Sequence, residues 1–385
     1  MKKVIIIGSG LSGLSCAHYL DKNKYDIHIY EKESTPGGRV NSENIDGNIC
    51  DVGFQVLLNN YDELKRLNIY NKLGLKYFDS GAQICTENGT LSLYNPLKHP
   101  FKFFKSNIFK IFTISDIFKV LTLFLFKNSN PKETAGQLID KTFSEKSRKL
   151  FFYPFFRGVF LSKDLKNDSD FFLKIFKKFA TGKASLPAKG MKSLPETLVR
   201  ESNLNVSYNF ELDKIDNKKA IFKNGEAIDF DILILATPLH NISKLIDIDI
   251  KPEYNTNKTI YIKSSKNVLS KSILLVPDDN YNINSIQCLS NISSKYSSGN
   301  NSLYSVSTLN TEIEDNVLLD EFIKITDLNN NNIELIKSYT IKRALPTNNH
   351  ILNQDNCIYF SGDWNTEPSI DGAIKSGRIC AAKLN

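Results

Sequence analysis

The chain has 385 residues, 41% hydrophobic and 24% charged, with 49 Lys and Arg against 42 Asp and Glu for a net charge of +7. That length exceeds the usual limit of one hydrophobic core, so two domains are expected, and the apolar content is that of a globular protein. No apolar run reaches the length of a membrane-spanning helix, and Cys16, Cys50, Cys85, Cys288, Cys357 and Cys380 lack CxxC or metal-ligand spacing, the pattern of free thiols in a reducing, cytoplasmic compartment. Lys2-Lys3 before an apolar run imitates a secretion signal, but Gly8-Ser9-Gly10 interrupts it. Val4 to Ile7 instead reads as a buried strand running into Gly8-Ser9-Gly10-Leu11-Ser12-Gly13. In such a turn Gly8 permits the tight bend, Gly10 lets the backbone approach a pyrophosphate, and Gly13 lets the next helix, Gly10 to Leu20, lie close to the sheet. The open N–H groups and dipole of that helix suit phosphate. A second strand, Tyr25 to Tyr30, leads to Glu31, placed to accept both hydroxyls of an adenosine ribose and to repel a 2′-phosphate. Gly37-Gly38 brings a second stretch of backbone to the same ligand, and Arg39 can fork onto phosphate oxygens.

Gly8, Gly10, Gly13, Leu14, Ala17, Leu20, Glu31, Gly37-Gly38-Arg39 and Asp51-Val52-Gly53 together resemble the start of the flavin-dependent amine oxidase superfamily, which includes monoamine oxidases, protoporphyrinogen oxidases and phytoene desaturases. The resemblance implies FAD as cofactor, with Leu11, Ser12, Lys32, Gly38 and Val40 joining the residues above at it. It implies an α/β fold in which a Rossmann-type, glutathione-reductase-like FAD-binding domain (1–72, 185–238 and 346–385) is interleaved with an α+β substrate-binding domain (73–184 and 239–345).

From about Tyr70 the chain changes character. Leu97 to Lys127 is crowded with Phe, Ile and Lys, and its six lysines against Asp116 carry +5 of the net charge. Two readings stay open: a helical substrate domain with a solvated Lys face, or basic Phe-rich helices in peripheral contact with a membrane or admitting an apolar substrate. Nothing in the stretch resembles a nucleic-acid reader. Phe151 to Leu161 holds a second aromatic cluster that can wall a substrate pocket or form core, and Arg157 could bind a substrate carboxylate. Leu186 to Val199 reads as a loop entering a helix and resembles the family's return to the cofactor domain. Asn205 to Ile215 reads as a strand in which Leu212 matches a position at adenine. Phe230 to Pro238 reads as another buried strand, and the resemblance puts Thr237 and Pro238 near the cofactor. Strands are expected at Thr259 to Ile262, Ser272 to Val276 and Ser302 to Thr308, with a polar loop at Asn329 to Asn332. Tyr339 to Pro346 resembles the family's passage back to the flavin, although the usual aromatic is Tyr339 or absent.

Near the carboxyl end, Ile358 to Asp363 is a short strand ending in Gly-Asp, and Pro368 suits the first position of a helix. Gly372, Ala373, Ser376, Gly377, Cys380 and Ala381 give that helix a small-residue face able to approach a sheet or a flat ring. By resemblance, Gly362 and Asp363 lie along the ribityl-phosphate and Gly372-Ala373 beneath the isoalloxazine.

The chemistry implied is two-electron oxidation of a C–N or C–C bond in a bulky hydrophobic small molecule, with no metal and no identified catalytic side chain. Lys258, Lys263 and Lys375 qualify as proton relays only by neighbourhood. Two other classes remain: a non-redox flavin isomerase of the UDP-galactopyranose mutase type, against which Arg39 argues because Asn usually follows that glycine pair, and a flavin-binding escort without turnover.

Overall fold

In a computed structural model of the chain, residues 1–95, 98–126, 133–352 and 357–385 are described, without the side chains of Phe104, Lys105, Leu125 and Phe126. Leu97 and Lys127, which bound the Phe/Lys-rich stretch, lie outside the described residues. The elements that matter for the site begin with β1 (Lys2–Ile7), α1 (Leu11–Tyr19), β2 (Tyr25–Glu31), β3 (Gly81–Thr86), β4 (Gly89–Tyr94), α2 (Ile114–Phe126), α3 (Tyr153–Phe160) and α4 (Ser169–Thr181). They continue with β5 (Val206–Tyr208), β6 (Leu212–Asp216), β7 (Lys219–Phe222), β8 (Ala227–Asp229), β9 (Ile232–Leu235) and β10 (Tyr254–Ser264). The last are β11 (Ile273–Leu275), β12 (Ile283–Cys288), β13 (Ser302–Thr308), α5 (Asp315–Thr326), β14 (Ile333–Pro346), β15 (Ile358–Phe360) and α6 (Ile370–Ala382).

A five-stranded parallel sheet in the order β5-β2-β1-β9-β15 gathers strands that start as far apart as residues 2 and 358. Val4 pairs with Ile232 and Ile27 in register, and Leu233 with Ile358. Residues 4–7 of β1 and Ile232–Leu235 of β9 are central and buried on both faces, which is why they read as unbroken Ile, Leu and Val. The expected Rossmann-type α/β architecture is present. The expected strand from Asn205 to Ile215 is in fact two: β5 joins the parallel sheet, and β6 starts a separate antiparallel sheet with β7 and β8. Asn209 breaks the run with φ +62, a left-handed conformation Asn tolerates better than most residues.

A seven-stranded sheet in the order β14-β10-β13-β12-β11-β3-β4 forms the second layer. Its strands alternate: Ile260, Ile262, Tyr304, Val306 and Ile286 pack with Leu318 and Phe322 of α5, and the intervening residues turn to the opposite face. Above that face lies a helical core rich in phenylalanine, including Phe152, Phe156, Phe160, Phe172 and Phe176. Asn330–Asn332, inside the expected loop, forms one 3-10 turn.

The terminal helix starts at Ile370 and not at Pro368: Ser369 caps it, accepting a hydrogen bond from the Gly372 N–H at 2.9 Å. Gly377 of its small-residue face packs on the helix α1, and Ala373 of the same face borders the cavity described below. A Cβ on Gly377 would stand 2.0 Å from Ser15 Oγ and 2.3 Å from the Ser12 carbonyl oxygen, so only glycine allows the two helices to close. Asp371 accepts the N–H groups of Glu63 and Leu64, and Glu63 holds Arg378 through two hydrogen bonds of 2.7 and 2.8 Å. These contacts fix the carboxyl end of the chain against its amino end.

Candidate active site

One cavity of about 1590 Å³ joins the two layers. At one end it is bounded by the turn between β1 and α1. Gly8 holds φ +104, and a Cβ there would come 2.8 Å from the Ala236 carbonyl oxygen. A Cβ on Gly13 would lie 2.0 Å from the Gly8 carbonyl oxygen, so that glycine sets how closely α1 approaches the turn. A Cβ on Gly10 would meet nothing within 4 Å, since that residue faces the cavity. No side chain caps α1, and the first-turn residues Leu11 and Ser12 border the same space. The second glycine turn docks on the first: Gly37 N–H donates to the Ser9 carbonyl at 2.9 Å. The result is a backbone cradle with open N–H groups and room above it, the shape and polarity a diphosphate needs.

Glu31 is buried beside this cradle. Its carboxylate accepts Ser9 N–H at 2.7 Å, Ser9 Oγ at 2.8 Å and Glu33 N–H at 3.0 Å, which hold it at the cavity edge. Arg39 spans the cavity wall between Asp363 Oδ1 at 2.5 Å and the Ala344 carbonyl at 3.0 Å, tying the amino-terminal and carboxyl-terminal segments. His240, also on the wall, has its pKa pushed down to about 4, first by burial and then by Arg343, Lys244, Arg39 and Lys32. Its imidazole is therefore neutral near pH 7, and the surrounding cations make this end attractive to an anion. Thr237 Oγ1 is buried here without a protein partner, an orphaned group that a ligand can satisfy. A phosphate-bearing dinucleotide therefore fits.

Of the residues singled out from the sequence, Gly8, Gly10, Leu11, Ser12, Glu31, Lys32, Gly38, Arg39, Val40, Leu212, Thr237, Pro238, Gly362, Asp363 and Ala373 border the cavity. Gly13 and Gly372 do not. Gly13 acts through packing, and a Cβ on Gly372 would strike the Glu367 carbonyl at 2.0 Å. Gly362 donates its N–H to Ser376 Oγ, and Trp364 donates its indole N–H to the Thr237 carbonyl.

The other end of the cavity is aromatic. Phe151, Phe155, Phe156 and Phe160 of the second cluster border it, as do Phe171, Phe176 and Phe179 of α4 and Ile117, Val120 and Phe124 of α2. Arg157 does not: it pairs with Asp279, donates to the Lys163 carbonyl and stacks on Tyr153, so it is not available to a substrate in the cavity. None of the three neighbourhood lysines borders the cavity either. Lys258 points through the far face of the sheet to Asp315 and the Ile313 carbonyl, Lys263 pairs with Glu334 and Lys375 with Glu367. Sequence reasoning placed Arg343 only within the Tyr339 to Pro346 passage, and missed His240 and Lys244, which carry no local motif, and Asn257, Ser285, Gln287 and Ser307 on the sheet floor, whose only signal is the alternation of their strands. No cluster of potential metal ligands occurs among the described residues.

A model of the flavin-containing amine oxidoreductases matches residues 11–273. The chain belongs to the flavin-containing amine oxidoreductase family. Its cofactor is FAD. Within the curated relatives of this flavoprotein, 4,4'-diapophytoene desaturase (4,4'-diaponeurosporene-forming) of Staphylococcus aureus is 22% identical over 297 residues, which cover 65% of this chain and 58% of that one. The match thus spans less than two thirds of that relative's length. Among solved structures, wild-type putrescine oxidase bound to putrescine superposes with a TM-score of 0.73 at 13% identity, covering 100% of this chain and 98% of that one. A reduced UDP-galactopyranose mutase superposes with a TM-score of 0.71 at 16% identity, covering 100% and 95%. At such identities the likeness establishes the fold and leaves the reaction to the site.

Proposed function

We propose that this flavoprotein removes two electrons from a C–N or C–C bond of a bulky, largely apolar small molecule. The observation that carries the reading is continuity: one cavity runs from the diphosphate cradle to a wall of phenylalanines. In this reading 1–72, 185–238 and 346–385 hold the cofactor, and 73–184 and 239–345 hold the substrate. Glu31 accepts the ribose hydroxyls, the open N–H groups at Gly10 to Ser12 and the positive field around His240 take the diphosphate, and Arg39 with Asp363 closes that end. FAD, when bound, supplies a two-electron acceptor. The chain's own task is then positional. The aromatic walls exclude water and hold the substrate by burial, and no buried acid or metal is required of them.

The same arm that walls the cavity also fits a lipid surface. Among the described residues no helix is long and apolar enough to cross a membrane. In α2, Ile117, Val120 and Phe124 border the cavity, Ile114 and Phe118 face out, Phe118 with 66% of its surface exposed, and Leu121 is half-exposed while also bordering the cavity. Phe101 and Phe109 are exposed beside it, with exposed Lys102, Lys110 and Lys119. The arm's acid, Asp116, is buried and engaged by Thr113 and Ser144. A surface helix apolar on two faces, edged only by lysine, suits an anionic bilayer from which an apolar substrate can enter.

The test is an anaerobic screen of purified holoenzyme against amines, porphyrinogens and polyenes. Bleaching of the flavin bands by one of them supports the reading. Binding of a sugar nucleotide without net bleaching would select the mutase-type isomerase, and indifference to every candidate would favour the escort.

A further inference from the structure

The cavity has two unlike walls. Against the phenylalanines stands the floor of the seven-stranded sheet, where Asn257 of β10, Ser285 and Gln287 of β12 and Ser307 of β13 border the cavity and are buried. Asn257 donates its amide to Thr259 Oγ1 at 2.9 Å and Gln287 donates its amide to Ser285 Oγ at 2.8 Å. Asn257 Oδ1, Gln287 Oε1 and Ser307 Oγ have no protein partner. Strand register places these three groups in consecutive rows of one face: Ser307 lies opposite Thr259 and Ser285, Gln287 lies two residues beyond Ser285, and Asn257 two residues before Thr259. Rows on one face are roughly 7 Å apart, so the three open groups span a short strip. A Cβ on Gly53 would come 3.8 Å from Asn257 Nδ2, and one on Gly158 would come 4.0 Å from Ser285 Oγ, so this floor runs from the segment at Gly53 to the aromatic helix α3.

A polar group buried without a partner costs free energy, and three along the floor of an otherwise greasy cavity give a ligand with matching polar groups an advantage over a plain hydrocarbon. The ligand group is uncharged, because no acidic or basic side chain of β10, β12 or β13 borders the cavity, Lys258 and Lys263 are engaged by Asp315 and Glu334, and Arg343 of the neighbouring β14 belongs to the cations around His240. It is also a hydrogen-bond donor, because the open capacity is that of amide and hydroxyl oxygens. We propose that Asn257, Gln287 and Ser307 form a polar subsite for an uncharged hydroxyl on an otherwise apolar substrate, so that the substrate is an amphiphile and not a plain hydrocarbon. This inference rests on the reading of the cavity as the site of a bulky apolar substrate.

A matched pair separates the two. Geranylgeraniol and its deoxy hydrocarbon are titrated into anaerobic holoenzyme, and binding is read from perturbation of the flavin spectrum. The wild type is expected to bind the alcohol about tenfold more tightly, the ratio one ordinary hydrogen bond supplies. Gln287→Leu and Ser307→Ala should each bring that ratio toward one while leaving hydrocarbon binding equal or tighter, whereas a merely structural role would weaken both ligands together. Ser307→Ala removes a single oxygen and carries the test alone if Gln287→Leu does not fold. Equal binding of the pair by the wild type, or a ratio that survives both variants, overturns the subsite and leaves the apolar-substrate reading standing. Failure of both ligands to perturb the flavin overturns that reading and the subsite with it.

Discussion

The two ends of the cavity are built on opposite principles. At the cofactor end the wall is largely backbone, with few open side chains: glycines at 8, 10 and 37 border it, Gly13 supports it from behind, Glu31 is held by Ser9 and Arg39 by Asp363. At the substrate end the wall is all side chain, phenylalanine on one face and unpartnered amides and hydroxyls on the other. A backbone cradle is rigid and accepts one chemical shape, so it is shared across a family. A side-chain wall is rebuilt by single substitutions, so family membership specifies the cofactor and leaves the substrate open.

The sharpest way to break this contrast is within the glycine turn itself. Gly13→Ala drives a Cβ into the Gly8 carbonyl at 2.0 Å, and neither partner is a flexible side chain. The expected loss is on the order of 4 kcal/mol of stability together with release of FAD, seen as a lower denaturant midpoint and a colourless protein. Gly10→Ala, with nothing within 4 Å of its Cβ, should leave the apoprotein's midpoint nearly unchanged and still weaken FAD retention. If both variants keep FAD equally well, the cradle is not the element that holds the cofactor.

The same contrast explains what was legible in the sequence. The cofactor end follows from local spacing: a glycine turn between strand and helix has few uses, and Glu31 and Arg39 sit at short, fixed distances from it. Long-range pairings were visible only as shapes without partners. The small face of α6 announced close approach, yet spacing alone does not say to what: Gly377 packs on α1, and Ala373 borders the cavity. Ser-Leu-Tyr-Ser-Val-Ser-Thr at 302–308 showed a strand, and serines alternating with larger residues ordinarily mark a solvent face. All seven residues are buried, because alternation defines two faces and says nothing of what covers the polar one. Pro368 suggested the helix start because proline suits a first helical position, but Ser369, one residue on, is the side chain that caps it.

Where the ends meet, Asp51 gives a test of intermediate size. Its carboxylate accepts Ser42 Oγ at 2.6 Å, the Met191 N–H at 2.9 Å and Tyr296 Oη at 2.9 Å, joining the first cofactor segment to both later parts of the chain. Burial raises its pKa from 3.8 to about 6, against the opposing pull of those donors. Between these two values the folded chain keeps a proton that the unfolded chain has lost. The stability from this group is therefore full below about pH 4 and is lost as pH rises through about 6. Relative to Asp51→Asn, the wild type should gain on the order of 3 kcal/mol on going from about pH 7.5 to about pH 4, read from urea melts of both proteins. A difference that stays flat with pH would mean that the carboxylate is ionised throughout and the junction is held by charge.

The smallest effect on folding belongs to the outermost part of the substrate end, where surface and wall share one helix. Phe118 is exposed on the outer stripe of α2, whereas Phe124 of the same helix borders the cavity. Phe118→Glu places a charge where no protein atom is displaced, so stability should change by less than about 0.5 kcal/mol. Binding to anionic vesicles should nevertheless fall severalfold, because the substitution removes apolar area from the outward stripe and sets a negative charge among Lys102, Lys110 and Lys119. Phe124→Ala should do the reverse, sparing vesicle binding and weakening an apolar ligand in the cavity. Co-sedimentation with vesicles of mixed neutral and anionic lipid, repeated at high salt, reads the first effect, and flavin perturbation by the ligand reads the second. A wild-type protein that stays in the supernatant at low salt would show that the outer stripe does not meet a bilayer, and α2 would then serve the cavity alone.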